Sequence, residues 1–423
     1  MGHHLSKAAL LGASLALCAA TAQAGVTILG QPGNYSTIQA AVDAAVDGDI
    51  VLVEDGTYPP FTIEDKGLAI FALSNGKVTV GGMSYWTAPS KVRDLAAHRT
   101  VVLVGLNFRG PVGWSNSPGG PGLLLSGNNG HVRIQGCLLE GGRPEYMSYA
   151  IKGGDGLMAL SSARVLVTQS HLDGNSPGFM SGASPKAGGD GINSLDSSIA
   201  VYESLVHGGF GSDETYPSGG DGGAACKIDD WGLFASGSEF RGGRGGSGDT
   251  VGCTLGGNGG HGLHLVDAQV YLLDNTILAG SGNGGSCGWS SPGQPIVSIG
   301  SAVHSLPGTG RSLSGPTQIP DKSLLQLAVV GAPGDAVWLI RARRAEFRFA
   351  LAFNGMLCVP YPWKLPVTPL GTIGAGGSLS LSIPIGDLVG PQAGWLWYLQ
   401  ALCVEPAGAS FVTNPLHLLV YNT

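Results

Sequence analysis

Within residues 153–294 the tetrapeptide Gly-Gly-x-Gly keeps returning, and the copies at 153–156, 188–191, 219–222 and 256–259 mark successive coils. This stretch of 142 residues holds 35 of the 72 glycines. Each copy is followed by an apolar run, a polar turn and a second apolar run. The second run ends on a small polar residue: Ser170, Ser204, Ser238 and Asn275. From Gly136 through these residues the offsets are 34, 34, 34 and then 37. Self-similarity at such a period marks a solenoid. One unit cannot bury its apolar face alone, so several must stack.

The unit that starts at Asp155 shows what one coil contains. Residues 156–160 form a first short strand, 161–163 a turn, 164–170 a second strand and 171–174 a short third. The next unit repeats this from Gly191 to Gly208. The runs are short, partly alternating and bounded by Gly, Ser or Asn, which reads as strand. No helical pattern separates them. Parallel strands without crossover helices predict a β-helix in which each strand pairs with those of the coils above and below. Glycines at the loop ends permit sharp corners and close backbone approach.

The start of the chain reads as a secretory signal over residues 1–24. His3, His4 and Lys7 precede an apolar stretch over 8–20, and Ala22-Gln23-Ala24 is a cleavage pattern. Leu17 before Cys18 argues against lipidation, and no other stretch is apolar enough to span a membrane. Removing the signal leaves 21 basic against 29 acidic residues, a balance of −8, which disfavours nucleic acid as a partner. Six cysteines remain in an export context that permits disulfides.

Residues 35–58 carry the resemblance to a known family. Ser36 and Gln39 have capping-box spacing, and Ile38, Ala41, Val42 and Ala45 share one helical face. The run T-I-Q-A-A-V-D-A-A, then G-D-I-V-L-V, then G-T-Y resembles the N-terminal cap and first coil of the pectin-lyase-like right-handed parallel β-helix superfamily. The resemblance implies an amphipathic helix plugging the open end of the solenoid. Physically, the first coil otherwise exposes its core and an unpaired edge. The superfamily includes lyases, hydrolases, esterases, adhesins and scaffolds, so the resemblance implies fold rather than activity.

The expected architecture is all-β. A right-handed parallel β-helix over residues 25–300 carries an N-terminal capping helix, and a Pro/Ser/Gly linker over 301–323 leads to a small β-sandwich over 324–423. The sandwich strands are expected at 324–330, 336–341, 347–353, 379–383, 395–404 and 416–420. Its G-A-P-G-D and G-G-S-L-S-L-S-I-P-I pieces resemble a C-terminal module of secreted bacterial proteins. Cys358 and Cys403 both lie there and could pair. Cys253 and Cys287 are one repeat apart, 34 residues, in neighbouring Gly-rich excursions. Strands about 4.8 Å apart suit the Cα spacing of a disulfide, so this pair would staple two stacked loops. The alternatives are free thiols, or Cys226 with Cys253. Cys137 is left unassigned.

Four constellations could carry function. Asp155, Asp190 and Asp221, continued by Asn258, would stack as an oxygen ladder that suits Ca²⁺; the alternative is that Asp-Gly simply favours the turn. Asp229 and Asp230 with Gly260-His261-Gly262 resemble part of the polygalacturonase-type site, which implies inverting hydrolysis by paired acids. The N-x-D element and the R-x-K clamp of that family are missing, and chance is the alternative. Lys152, Lys186, Arg241 and Arg244 are basic residues on nearby coils that a lyase reading would use, against a solvated surface role. Finally, Tyr146, Tyr149, Phe179, Phe210, Tyr216 and Trp289 lie in the excursions. They would form a broken aromatic stripe suited to sugar rings, or pack down their own loops.

The leading expectation is a secreted or cell-surface monomer, without a required cofactor, that recognises polysaccharide or cell-envelope glycan or acts as a scaffold through its loop face. The alternative is a lyase or hydrolase on acidic polysaccharide.

Overall fold

The structure is a computed structural model that describes residues 25–74, 76–82, 88–113, 117–144, 152–177, 186–213, 218–248, 254–360, 367–387 and 393–422. Its larger part is a parallel β-helix with three ladders of strands. The first ladder runs from Thr62–Glu64 through Ser90–Arg93, Leu123–Ser126 and Leu157–Leu160. It continues through residues 192–195, 226–229 and 263–266 to Ile296–Ile299. The second joins Ile50–Val53, Ala69–Ala72, Thr100–Val104, His131–Gln135 and Arg164–Thr168 to residues 197–202, 231–236 and 268–273, and ends on Ala302–Ser305. The third is an eight-stranded sheet from Gly56–Tyr58 to Thr276–Leu278.

Alternation along each strand sets the core. On the second ladder Val51, Ile70, Leu103, Ile134, Val167, Val201, Ala235 and Leu272 stack in register and face inward. On the third ladder Val80, Phe108, Leu139, Leu172, Val206 and Phe240 do the same. The small polar residues that mark the repeat form an internal hydrogen-bonded column. Ser170 N–H donates to Ser204 Oγ (3.1 Å), Ser204 N–H to Ser238 Oγ (3.2 Å) and Ser238 N–H to Asn275 Oδ1 (3.0 Å). Cys137, rather than Gly136, stands in register with Ser170, to whose hydroxyl its N–H donates.

Both corners of the coil rest on left-handed residues, one per corner except after Asp230, where Trp231 (φ 68°) is left-handed as well. Between the first and second ladders these are Asp65, Asp94, Gly127, Ser161, Asp196, Asp230, Asp267 and Gly300. Between the second and third they are Gly105, Gly136, Gln169, Glu203, Gly237 and Asp274. Asp and Gly tolerate this region because a short polar side chain, or none, avoids the usual Cβ clash.

Helix Ile38–Ala44 closes the N-terminal end and buries Ile38, Ala41 and Val42. Its N-cap is Thr37, whose hydroxyl accepts from Ala40 N–H at 3.1 Å. The expected Ser36–Gln39 capping box therefore does not form. The Gln39 amide oxygen instead accepts from Thr62 N–H, tying the helix to the first coil.

The C-terminal part is a sandwich of two sheets. Ser312–Ser314, Leu324–Val330 and Ser378–Pro384 form one; Gln318–Pro320, Leu416–Tyr421, Gly394–Val404, Ala336–Ala342 and Val367–Thr372 form the other, with Ser410–Val412 on its edge. Two corrections follow. Residues 301–323 are no plain linker, because Ala302–Ser305 completes the second ladder and the next two strands belong to the sandwich. Cys358 and Cys403 are not paired: both are buried free thiols, and they lie in different hydrophobic clusters. Cys137 and Cys226 are also free, and both face the solenoid core.

The sandwich lies against the outer face of the second ladder. Phe71, Val102 and Val104 meet Ile340, Ala342 and Tyr398, while Leu166, Tyr202 and Phe234 meet Met356 and Cys358. Burial on both faces explains why residues 101–104 are a continuous apolar run.

Candidate functional site

In their described parts the Gly-rich excursions are hydrogen-bonded backbone slabs rather than irregular loops. An outgoing strand leaves the third ladder and a return strand leads back to the first. Hydrogen-bond partners repeat every third residue, the period of a polyproline II helix. On the return strand at 218–224, Gly219 and Gly222 N–H donate to Leu255 and Asn258 carbonyls one coil on. Gly220 and Gly223 donate across to Ser212 and Gly209 of the outgoing strand. The cross-layer bonds run on from coil to coil: Gly154 to Gly142, Gly189 to Asn175, Gly209 to Gly189, Gly243 to Gly223, Gly260 to Gly243 and Gly280 to Gly260. A polyproline II segment makes no hydrogen bonds within itself, so all its amides are free for such a lattice. Two of every three positions face a neighbouring backbone. A Cβ built on Gly223 would collide with the Gly189 carbonyl, and one on Gly243 with that of Gly209. The Gly-Gly-x triplets at 219–223, 242–246 and 256–260 are the sequence signal of this slab, which a reading for strands and turns passes over.

The third position of each triplet carries the side chain, and its register corrects the oxygen ladder. Asp155 and Asp190 are aligned, but the next residues in that column are Ala224, His261 and Gln294. Asp221 lies one triplet away and stacks with Ala187 and Asn258. These side chains cap the outer amides of the slab. Asp155 accepts from Asp190 N–H (2.8 Å), Asp190 from Ala224 N–H (2.8 Å) and Asp221 from Asn258 N–H (2.7 Å). The cation between Asp155 and Asp190 is Lys152, with Nζ 2.9 Å and 2.6 Å from them. Asn193 occupies the remaining Asp155 oxygen at 2.8 Å. Burial pushes the Asp190 carboxyl up and Lys152 opposes it. The residues present do not fit a calcium cage, because lysine and backbone amides already hold these oxygens.

The acid–histidine constellation is likewise dispersed. Asp230 is one of the left-handed corner residues (φ 61°). Asp229 projects outward from the first ladder and pairs with Lys227 at 2.9 Å. Cys226 pairs with Leu263, so His261 lies two residues before that rung and Asp229 three after it. Five residues of extended chain separate them by about 16 Å along the strand. His261 instead stands beside His264 (ring centroids 5.6 Å) and accepts from Gln294 N–H at 3.0 Å.

Of the aromatic residues, Tyr146, Tyr149, Phe179 and Tyr216 lie outside the described residues. Trp289 is 82% exposed on a hairpin of the last excursion, and Phe210 is 56% exposed on an outgoing strand. Arg244 lies one coil on, with its guanidinium 5.8 Å from the Phe210 ring. Arg241 pairs with Glu239 at 2.9 Å, and Lys186 is buried within the slab. The structure therefore does not gather the four basic residues at one place.

One cluster was missed by the sequence reading. On the outer face of the third ladder, His171 and Asp173 project side by side, and His207 stands in register with Asp173 one coil on. His171 Nε2 is 2.9 Å and His207 Nδ1 3.4 Å from Asp173 Oδ1, and the two nitrogens are 3.4 Å apart. Burial opposes ionisation of Asp173, yet hydrogen bonds from both imidazoles hold its carboxyl down at about 2. The Asp173 hydrogen bond raises His171. Stepping the 34-residue repeat forward from Asp173 lands on His207, the signal that would have found the cluster.

No protein-family model matches the chain, and no curated protein matches it. Among solved structures, a superoxide reductase (neelaredoxin) from Ignicoccus hospitalis aligns with 26% of this chain and 80% of its own at 11% identity and a TM-score of 0.17, a likeness that carries no argument. Among the described residues no helix is long and apolar enough to cross a membrane.

Proposed function

We propose that the chain is an extracellular recognition scaffold whose β-helix carries a rigid glycine slab, with polysaccharide as the ligand class contacted at the slab's outer edge. The observation that carries this reading is the backbone lattice of the excursions. Among the described residues the outgoing and return strands are hydrogen-bonded to each other and to those of neighbouring coils, so the strands themselves are held at fixed spacing. Preorganised contacts lose less entropy on binding than flexible loops do. Exposed Trp289 and Phe210, the latter beside Arg244, supply the aromatic and cationic contacts that sugar rings and acidic sugars take. In this reading residues 1–24 direct export and a Cys253–Cys287 bond ties two neighbouring excursions. The resemblance to the pectin-lyase-like superfamily is part of the same proposal. The alternative hydrolase set has no geometric support, since Asp229 and His261 are held apart.

Retention on immobilised neutral and acidic polysaccharides tests the proposal. Wild-type protein is expected to be retained on at least one glycan, and Trp289→Ala, Phe210→Ala or Tyr149→Ala to weaken retention about 10-fold or more, the scale of an anchor residue. No retention across the panel, or new reducing ends and unsaturated products released by the wild type, would overturn it.

A further inference from the structure

We propose that His171, Asp173 and His207 form a binding site for one divalent first-row transition metal of the Zn²⁺ class, with an open coordination position facing solvent. The three donor atoms form a compact triangle with edges of 2.9, 3.4 and 3.4 Å. The point equidistant from them lies about 1.9 Å from each, so an ion with the usual ~2.0–2.1 Å bonds to imidazole and carboxylate sits just out of their plane. Ligands of a tetrahedral zinc are separated by about 3.3–3.4 Å, which matches the two longer edges. The ladder supplies this geometry: alternate residues on one strand share a face, and the next coil lies about 4.8 Å away.

A second observation points the same way. His207 Nε2 is buried and, among the described residues, has no hydrogen-bond partner. Glu239 Oε1 stands 3.7 Å from it on the following coil. An imidazole that ligates through Nδ1 carries its proton on Nε2, and a carboxylate there is the usual orienting partner. Without a metal, both imidazole nitrogens must aim at the same Asp173 oxygen, while the far nitrogen of His207 stays unmatched. Two imidazoles and one carboxylate suit Zn²⁺, Co²⁺, Ni²⁺ or Cu²⁺ rather than Ca²⁺, which takes six to eight oxygens. His171, Asp173 and His207 keep side-chain exposures of 40%, 32% and 30%, leaving an approach for water or a ligand oxygen as the fourth donor.

The test uses the full chain with His3→Ala and His4→Ala, so that the N-terminal pair cannot bind metal. Zn²⁺ uptake is measured by titration calorimetry and elemental analysis after chelator treatment, and Co²⁺ by its visible absorption. One ion per chain is expected, at micromolar affinity or tighter. His171→Ala, His207→Ala and the near-isosteric Asp173→Asn should each weaken binding about 100-fold or more, with circular dichroism confirming the fold. Glu239→Gln should weaken it by about 10–100-fold, the scale of an outer-shell partner. His264→Ala, in the separate His261–His264 pair, should leave it unchanged. No stoichiometric uptake, or uptake unaffected in folded Asp173→Asn and His207→Ala, would overturn the proposal. Metal binding is read here without any glycan, so its outcome is independent of the recognition reading.

Discussion

Arg133 of the second ladder donates to Nε2 of His417 in the sandwich at 3.1 Å, and both side chains are buried. His417 Nδ1 lies 2.7 Å from Gln135 Oε1, an acceptor, so the proton sits on Nδ1 and the ring is neutral. Arg133 also donates to the carbonyls of Glu346 and Cys358, and its guanidinium lies over Tyr398. The two domains thus share a buried polar seam. Burial and then the Arg133 charge drive His417 well below its ordinary value. The same causes, with Arg164, push nearby His131 down to about 3.

A histidine depressed on folding contributes stability that is fully present above its unfolded value, about 6.5, and lost as pH falls toward its folded value. Urea midpoints should therefore decline from pH 6.5 to 4.5, before Asp173 begins to protonate. His171, raised on folding, has the opposite sign and loses its contribution as pH rises instead. His131→Gln with His417→Gln should flatten the acid limb. An unchanged limb would remove these two histidines as its cause.

The slab makes a sharp distinction among glycines. Gly223→Ala forces a methyl into the Gly189 carbonyl, whereas a Cβ on Gly374 meets nothing within 4 Å. Gly223→Ala should cost about 1–3 kcal/mol, in the range of overpacking. Gly374→Ala should stay within about 0.5 kcal/mol. Chemical denaturation of the two variants decides it, and equal costs would mean that the lattice does not govern stability.

Lys152 sits between two buried carboxylates. Lys152→Met leaves Asp155 and Asp190 facing each other without a cation. Because Lys152 is one-third exposed, a loss of about 2 kcal/mol is expected, below that of a fully buried pair. The same variant should gain stabilisation by Ca²⁺, which the protein with its own lysine in place does not need there. Denaturation midpoints with Ca²⁺ and with chelator measure both effects.

Burial pushes the thiols of Cys137, Cys358 and Cys403 up to about 12 and raises Cys226 further. A thiol so buried and so weakly ionised reacts slowly. Thiol titration should find none of these four reactive in the native protein and all four after unfolding. Non-reducing peptide mapping is expected to recover Cys253 linked to Cys287. Recovery of both as unmodified thiols would remove the proposed tie between the excursions.

The β-helix was legible because its signals are local. Alternation over two residues sets which side chains face the core, and the 34-residue spacing of Ser170, Ser204 and Ser238 sets the coil length. The expected strands 324–330 and 395–404 were likewise found nearly in place, as Leu324–Val330 and Gly394–Val404. The helix was legible, but its cap was not, because Thr37 and Ser36 compete for one position and the first coil claims Gln39.

The sequence by itself determined the coil, its corners and the residues that fill its core, since each depends on neighbours within a few positions. Tertiary structure decided what stands beside what on the outside. Asp221 misses the column of Asp155 and Asp190 because its Gly-Gly-Asp-Gly sits one triplet earlier on the return strand, three residues before Ala224. Asp229 and His261 are close in coil number yet lie far apart along the strand. His171, Asp173 and His207 meet because two coils stack in one register. A two-residue alternation encodes inside and outside, but contacts between coils depend on the lengths of the excursions that join them, which the local pattern does not contain.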